Sequence, residues 1–322
     1  MIARRALPAA LLPLFARPSA AQQPWPSRPL RIVIPWPPGQ ATDLVGRLMA
    51  QALTDRLGQN VVPENRAGAG GSIGTDSVAK AAPDGYTLLA ASIGPISLGP
   101  LVNRVPYDVQ RDFAPVATFS GSPYFLVVKS DSRFNDARSL IAHMKANPGQ
   151  LSYASSGVGG AQHILTAIFL ARAQAEALHV PFQGSGPAMA ALLGGQVDWA
   201  IETLAAAGAL IRNGQLKAFG TTAGRRTSLM PEVPPLAEAA DIPGYDYTGW
   251  IGLMAPAATP RPVLDRIAAA LADAARQPEM LQRLAGIGTE ALFNDPDGFR
   301  TLLAQYRANF EPAIRQLGIR AE

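Results

Sequence analysis

Two short stretches carry polar groups arranged as a binding site would need them. The first, RIVIPWPPGQATD (Arg31–Asp43), leads from a β-branched strand through Pro35, Pro37 and Pro38 into residues that start helices. Proline has no N–H and holds φ near about −65°, so these three stiffen the turn without donating a hydrogen bond. Gly39, Gln40, Ala41, Thr42 and Asp43 each keep a backbone N–H, and Thr42 and Asp43 are good N-cap types. A rigid arch followed by a row of unused donors at a helix start suits an anion, the alternative being an ordinary strand-to-helix turn. The second stretch, YASSGVGGAQH (Tyr153–His163), has the same setting between a strand and a helix. Ser155, Ser156 and Gly157, with Gly159 and Gly160, supply hydroxyls and unhindered N–H groups, or else form a flexible turn with a serine cap. Two such loops at the carboxyl ends of strands favour the anion reading, because ligands of open α/β sheets bind there.

Other residues join or leave this set. Gln183 in VPFQGSGPA begins a further helix and suits a polar contact. Glu202 ends the strand VDWAIE, where it either reads a donor on a ligand or caps the next helix. His163 faces the cleft or packs, packing being preferred, and Ser92 at the end of TLLAAS completes the candidate ligand set. Trp199 alternates with Val197 and Ile201 and reads as core. GGSIG (Gly70–Gly74) matches the nucleophile-elbow pattern around Ser72, but the strand VVPEN ends about seven residues earlier, too far for a tight strand-to-helix elbow. The same glycines fit a dinucleotide loop only loosely, since no acid follows the next strand to take a ribose hydroxyl. Catalysis is therefore not expected, a Ser72 hydrolase being the competing class.

These loops need strands and helices behind them. LRIVIP, NVVPEN and GYTLLAAS alternate with helical segments, and a second alternating set follows from DARSLIAHMKAN to QLKAFGTT. Such alternation implies largely parallel sheets. Two extended stretches, near Ser120–Val128 and Tyr245–Ala255, join the sets, and two or three helices follow Pro260. The expected fold is α/β with two lobes, the chain crossing between them twice over a hinged cleft. Residues 22–122 with 247–322 form one expected lobe and 123–246 the other.

Composition limits the partners. The 322 residues, 48% apolar and 16% charged, suit a globular chain with a substantial core. Residues 1–21 read as a signal peptide: MIARR is basic, ALPAALLPLFA is apolar, and Ser19 and Ala21 are the small residues of a cleavage site near Gln22. The ordinary secretory route is preferred over a twin-arginine one. Without that segment 25 basic residues face 24 acidic ones, and no basic stripe suggests a nucleic acid. Zero cysteines exclude disulfides, thiolate catalysis and a lipid-bearing cysteine, and His143, His163 and His179 are too scattered for a metal cluster. No cofactor is expected.

In order, RIVIPWPPGQATD, VVPENRAGAGGSIGTDSVAKAAPDGYTLL, LSYASSGVGGAQH, VPFQGSGPAMAALLGGQVD, PEVPPLAEA and GWIGLMAPAATP resemble the periplasmic receptors of tripartite tricarboxylate transporters, the Bug or TctC-like family. The resemblance spans nearly the whole chain beyond residue 21. It implies a type II periplasmic-binding-protein fold whose lobes close on a small organic acid, mono- or dicarboxylate. It also implies a periplasmic, monomeric receptor serving the membrane permease of a tripartite transporter, or a sensor protein. Carried over, the carboxylate would lie between Gly39–Asp43 and Ser155–Gly157, partly through ordered water, with Gln183 and Glu202 on the far side. Three departures stand out: Gln40 replaces the second glycine of Pro-Pro-Gly-Gly, Phe182-Gln183 replaces Tyr-Lys, and Glu202 stands where Asp is commoner.

Overall fold

The computed structural model describes residues 25–316, so the expected signal peptide lies outside the described residues. The first part of the chain runs β1 (Leu30–Ile34), α1 (Ala41–Leu57), β2 (Val61–Asn65), α2 (Ser72–Ala79), β3 (Thr87–Ser92), α3 (Gly99–Val102), α4 (Val109–Asp112) and β4 (Phe113–Ser122). The second follows as β5 (Tyr124–Lys129), α5 (Ala137–Ala146), β6 (Ser152–Ser155), α6 (Ala161–Ala173), β7 (Leu178–Pro181), α7 (Ser185–Leu193), β8 (Trp199–Thr203), α8 (Leu204–Arg212), β9 (Leu216–Thr221) and α9 (Leu236–Ala239). The last comprises β10 (Gly249–Pro256), α10 (Arg261–Ala275), α11 (Pro278–Gly286), β11 (Glu290–Ala291) and α12 (Pro296–Gln316).

Two sheets result, ordered β11-β4-β10-β3-β1-β2 and β7-β6-β8-β5-β9. β1 pairs in parallel with both β2 and β3, which explains why LRIVI is almost continuously apolar and buried. The sheets are mixed and not largely parallel as expected. The extended stretches enter them as antiparallel strands: β10 pairs with β3 and β4, while β5 pairs with β8 and β9. A single residue separates β4 from β5, so one nearly continuous strand passes from the first sheet to the second.

Each sheet buries its faces under helices. Leu48, Met49 and Leu53 of α1 pack with Ile267 and Leu271 of α10 over the first sheet. Ile164 and Phe169 of α6 cover the second, packing with the fully buried Trp199 of β8. α1 stops where Gly58 takes φ 69° and returns its N–H to Thr54 O, a left-handed cap. The lobes meet over backbone as much as side chain: a Cβ on Gly94 would lie 3.3 Å from Ala161 N and 3.3 Å from the Trp36 ring.

Candidate functional site

Four helix N-termini converge on one cavity between the lobes. Gln40, Ala41 and Thr42 bring α1, Ala161 and Gln162 bring α6, Ser185 opens α7, and Thr203 precedes α8. Trp36, Ser92, Gly94, Ser122, Tyr124, Trp250 and Ile251 complete the wall, and no lining side chain is charged. Each helix start presents N–H groups without intrahelical partners and the positive end of its dipole, which favours an anion without a cation on the wall.

The α1 start shows how the sequence builds this. Gln40 is the N-cap with extended backbone and no side-chain cap bond, and the first intrahelical bond runs from Leu44 N to Gln40 O. The amides of Ala41, Thr42 and Asp43 thus have no partner within the helix. The cap lies one residue before Ala41, earlier than Thr42 or Asp43. Asp43, third in the helix, reaches back and accepts Gly39 N–H at 3.0 Å, Arg47 Nε at 3.0 Å and Asn65 Nδ2 at 2.8 Å. Asn65 also donates to Trp36 O, and Trp36 Nε1 donates to Ser92 Oγ, so the arch is pinned at both ends. Burial opposes ionisation of Asp43, yet the bonds from Arg47, Asn65 and Gly39 win and hold its carboxyl below the ordinary value.

The opposite wall hangs on Gln162. Its Oε1 accepts from Ser156 Oγ at 2.7 Å, and its Nε2 donates to Glu202 Oε1 at 3.0 Å and toward Ser185 Oγ at 3.4 Å. Glu202 Oε1 also takes Thr203 N–H and Thr203 Oγ1–H. Glu202 is 1% exposed, and burial pushes its carboxyl above the ordinary value against those bonds. Burial also raises Tyr124, with Glu202 adding to the effect, so Tyr124 remains a neutral donor on the wall.

The candidate residues divide into three groups. Gln40, Ala41, Thr42 and Ser92 line this cavity. Ser156, Gly157 and Gln183 line a second, outer space that shares Trp36 as a wall. Gly39, Asp43, Ser155, His163 and Glu202 line neither and support from behind. Ser155 Oγ is bonded to His179 Nε2, and His163 stacks on His179 at 4.1 Å while accepting Gly159 N–H. Burial, then the neighbouring His163, lowers His179 to about 4, so His179 stays neutral near pH 7. Gly71 occupies the N-cap of α2, with no side-chain cap bond, so Ser72 is its first residue and not a cap.

Several lining residues were not anticipated: Gln162, Ser185, Thr203, Ser122, Tyr124, Trp36 and Trp250. Among the described residues, Gln40 Nε2, Ser122 Oγ and Trp250 Nε1 are buried without a hydrogen-bond partner. All three line the cavity, where a ligand or water can meet them. Also among the described residues, no group of three His, Cys, Asp or Glu side chains could hold a metal ion.

Two expectations follow from the supports. Asp43→Asn keeps one acceptor oxygen for Arg47 and Asn65 but turns a donor toward Gly39 N–H and removes the charge facing Arg47, which costs about 1–3 kcal/mol at pH 7. Because folding depresses the Asp43 pKa, its contribution is present above the free value of 3.8 and lost as pH falls through the folded value. Urea melts at pH 7 and pH 3 should show the gap between variant and wild type closing in acid. Glu202 has the opposite sign: its raised folded value makes stability fall as pH rises above 4.5. Glu202→Gln should remove that slope, about 1.4 kcal/mol for each pH unit of the raised window. Melts of both proteins from pH 4 to 8 check it.

Comparison with known proteins agrees with the geometry. A model of the family described as "Tripartite tricarboxylate transporter family receptor" matches residues 45–319. Protein BugT of Bordetella pertussis (strain Tohama I) is 36% identical over 296 residues, covering 91% of this chain and 90% of BugT. An R. palustris protein solved with adipate superposes with TM-score 0.88 at 30% identity, covering 92% of this chain and 99% of that one. MatC from Rhodopseudomonas palustris with bound malate gives TM-score 0.85 at 30% identity, with 90% and 100% covered. The chain belongs to the tripartite tricarboxylate transporter receptor family, with the two-lobed fold of its periplasmic binding proteins, and is a solute-binding protein and not an enzyme.

Proposed function

We propose that this protein captures a small organic carboxylate between its lobes in the periplasm and delivers it to a tripartite tricarboxylate-type permease. In this reading, residues 22–122 with 247–322 and residues 123–246 are the moving lobes, and export ends with cleavage near Gln22. The observation that carries the reading is the N-terminus of α1. The amides of Ala41 and Thr42, which have no intrahelical partner, line the same cavity as Gln40, whose Nε2 is an unpartnered donor on a residue only 7% exposed. A carboxylate satisfies all of these at once and meets the dipole end. Adipate and malate in the two superposed proteins support the choice of ligand class.

Affinity arises as the lobes close. Removing water from an anion costs several kcal/mol unless donors replace the hydration, and a dry site strengthens each replacing bond. Uncharged donors suit a receptor that must also release its cargo. A thermal-shift screen of aliphatic and aromatic mono- and dicarboxylates, each paired with its neutral amide, tests the proposal. Acids should raise the melting temperature and their amides should not; equal shifts for an acid and its amide would remove the anion site.

A further inference from the structure

The outer space differs in chemistry from the inner cavity. It is the larger, about 260 Å³ against about 20 Å³. Its side chains are mainly apolar: Trp36 and Pro37 of the arch, Val158 of the serine loop, Pro181 at the end of β7 and Phe182 after it. The loop 67–71, three glycines and the two small residues Ala67 and Ala69, forms the remaining side, where a flat group can approach the backbone closely. Its two polar side chains are Ser156, whose hydroxyl proton goes to Gln162 Oε1, and the exposed Gln183. No charged side chain lines it.

The two spaces adjoin. Trp36 is a wall of both. Gln40, whose unpartnered amide lines the inner cavity, abuts Gly184 of the outer one: a Cβ on Gly184 would lie 3.3 Å from Gln40 Nε2 and 3.2 Å from Pro37 Cγ. A ligand whose head sits at the α1 amides therefore has its tail's space next to it. A second carboxylate there would find no cation among the lining side chains and would lie against five apolar ones, with only backbone groups, Ser156 and Gln183 to replace its water. A ring there instead lies within reach of Trp36 and Phe182, and aromatic pairs favour offset or edge-on contact.

We propose that the outer chamber holds an uncharged ring on the tail of the ligand, so that this receptor prefers aromatic or alicyclic monocarboxylates to dicarboxylates of similar length. The proposal rests on the inner cavity holding the carboxylate. Calorimetry on the protein with propanoate, 3-phenylpropanoate and adipate tests it. 3-Phenylpropanoate should bind at least about tenfold more tightly than either of the others. Phe182→Ala should weaken 3-phenylpropanoate at least about fivefold more than it weakens propanoate. Gln183→Lys, at an exposed position that tolerates the change, should move preference toward adipate by placing a cation at the chamber mouth. Adipate binding as tightly as 3-phenylpropanoate, or Phe182→Ala weakening both monocarboxylates alike, overturns the tail assignment and leaves the carboxylate site standing. No response to Gln183→Lys also counts against it. Failure of all three acids, and of every acid in the screen, overturns the carboxylate site and the tail assignment together.

Discussion

Ala41→Asp should abolish carboxylate binding while leaving the protein folded. Ala41 is the first residue of α1, 7% exposed, and lines the inner cavity beside Gln40 and Thr42. An aspartate there sets its own carboxylate against the α1 amides, in the place assigned to the ligand. Helices tolerate acids in the first turn, because the charge meets the positive end of the dipole. A second carboxylate about 4 Å away then meets a repulsion of about 4 kcal/mol at an effective dielectric of about 20. Even with partial relief by solvent, affinity should drop at least about 100-fold. Calorimetry with the best acid from the screen reads the loss, and circular dichroism confirms the fold. Undiminished binding would place the carboxylate away from α1.

Gly94→Leu should weaken binding by a different route. Gly94 carries no unusual backbone angle, but its added Cβ would stand 3.3 Å from Ala161 N on the facing lobe and 3.3 Å from the Trp36 ring. A leucine needs more room than the closed cleft has, so the lobes must part. Water then reaches the bound acid and the enclosed bonds weaken. A loss of about 2 kcal/mol, roughly 30-fold in affinity, is expected. The denaturation midpoint should fall as well, because one apolar cluster runs from Ile93 and Ile96 to Ala161 and Ile164 across the cleft. Small-angle scattering should show the variant more extended with ligand present than the wild type. Wild-type affinity in Gly94→Leu would show that closure contributes nothing.

Much of the fold was legible because its local signals agree. The buried parallel strand LRIVI and the alternation of strands and helices both showed in the residue pattern. The antiparallel crossovers were legible as extended stretches but not in direction, since strand direction depends on which end of a sheet the chain enters. The site was half legible for a related reason. A rigid turn and a glycine-rich turn mark themselves by composition, and both line cavities between the lobes. Ser185 and Thr203 follow the same strand-to-helix rule in VPFQGSGPA and WAIETLAAA, but there the longer polar side chains of Gln183 and Glu202 stand out instead. Ser122 and Trp250 come from the crossover strands and meet the site only through tertiary pairing across β4 and β10. Asp43 and Glu202 show the limit of reading charge from sequence. Each sits beside the site, yet one is held by Arg47, Asn65 and Gly39 and the other by Gln162 and Thr203.

The most direct measurement is a crystal structure of the protein with its best-binding acid. The carboxylate oxygens should lie within about 3.2 Å of the Ala41 or Thr42 amide nitrogen, or reach them through one ordered water. Gln40 Nε2 should turn toward the same group. A carboxylate pointing out of the cleft, with the α1 amides and Gln40 left as they are, would contradict the account.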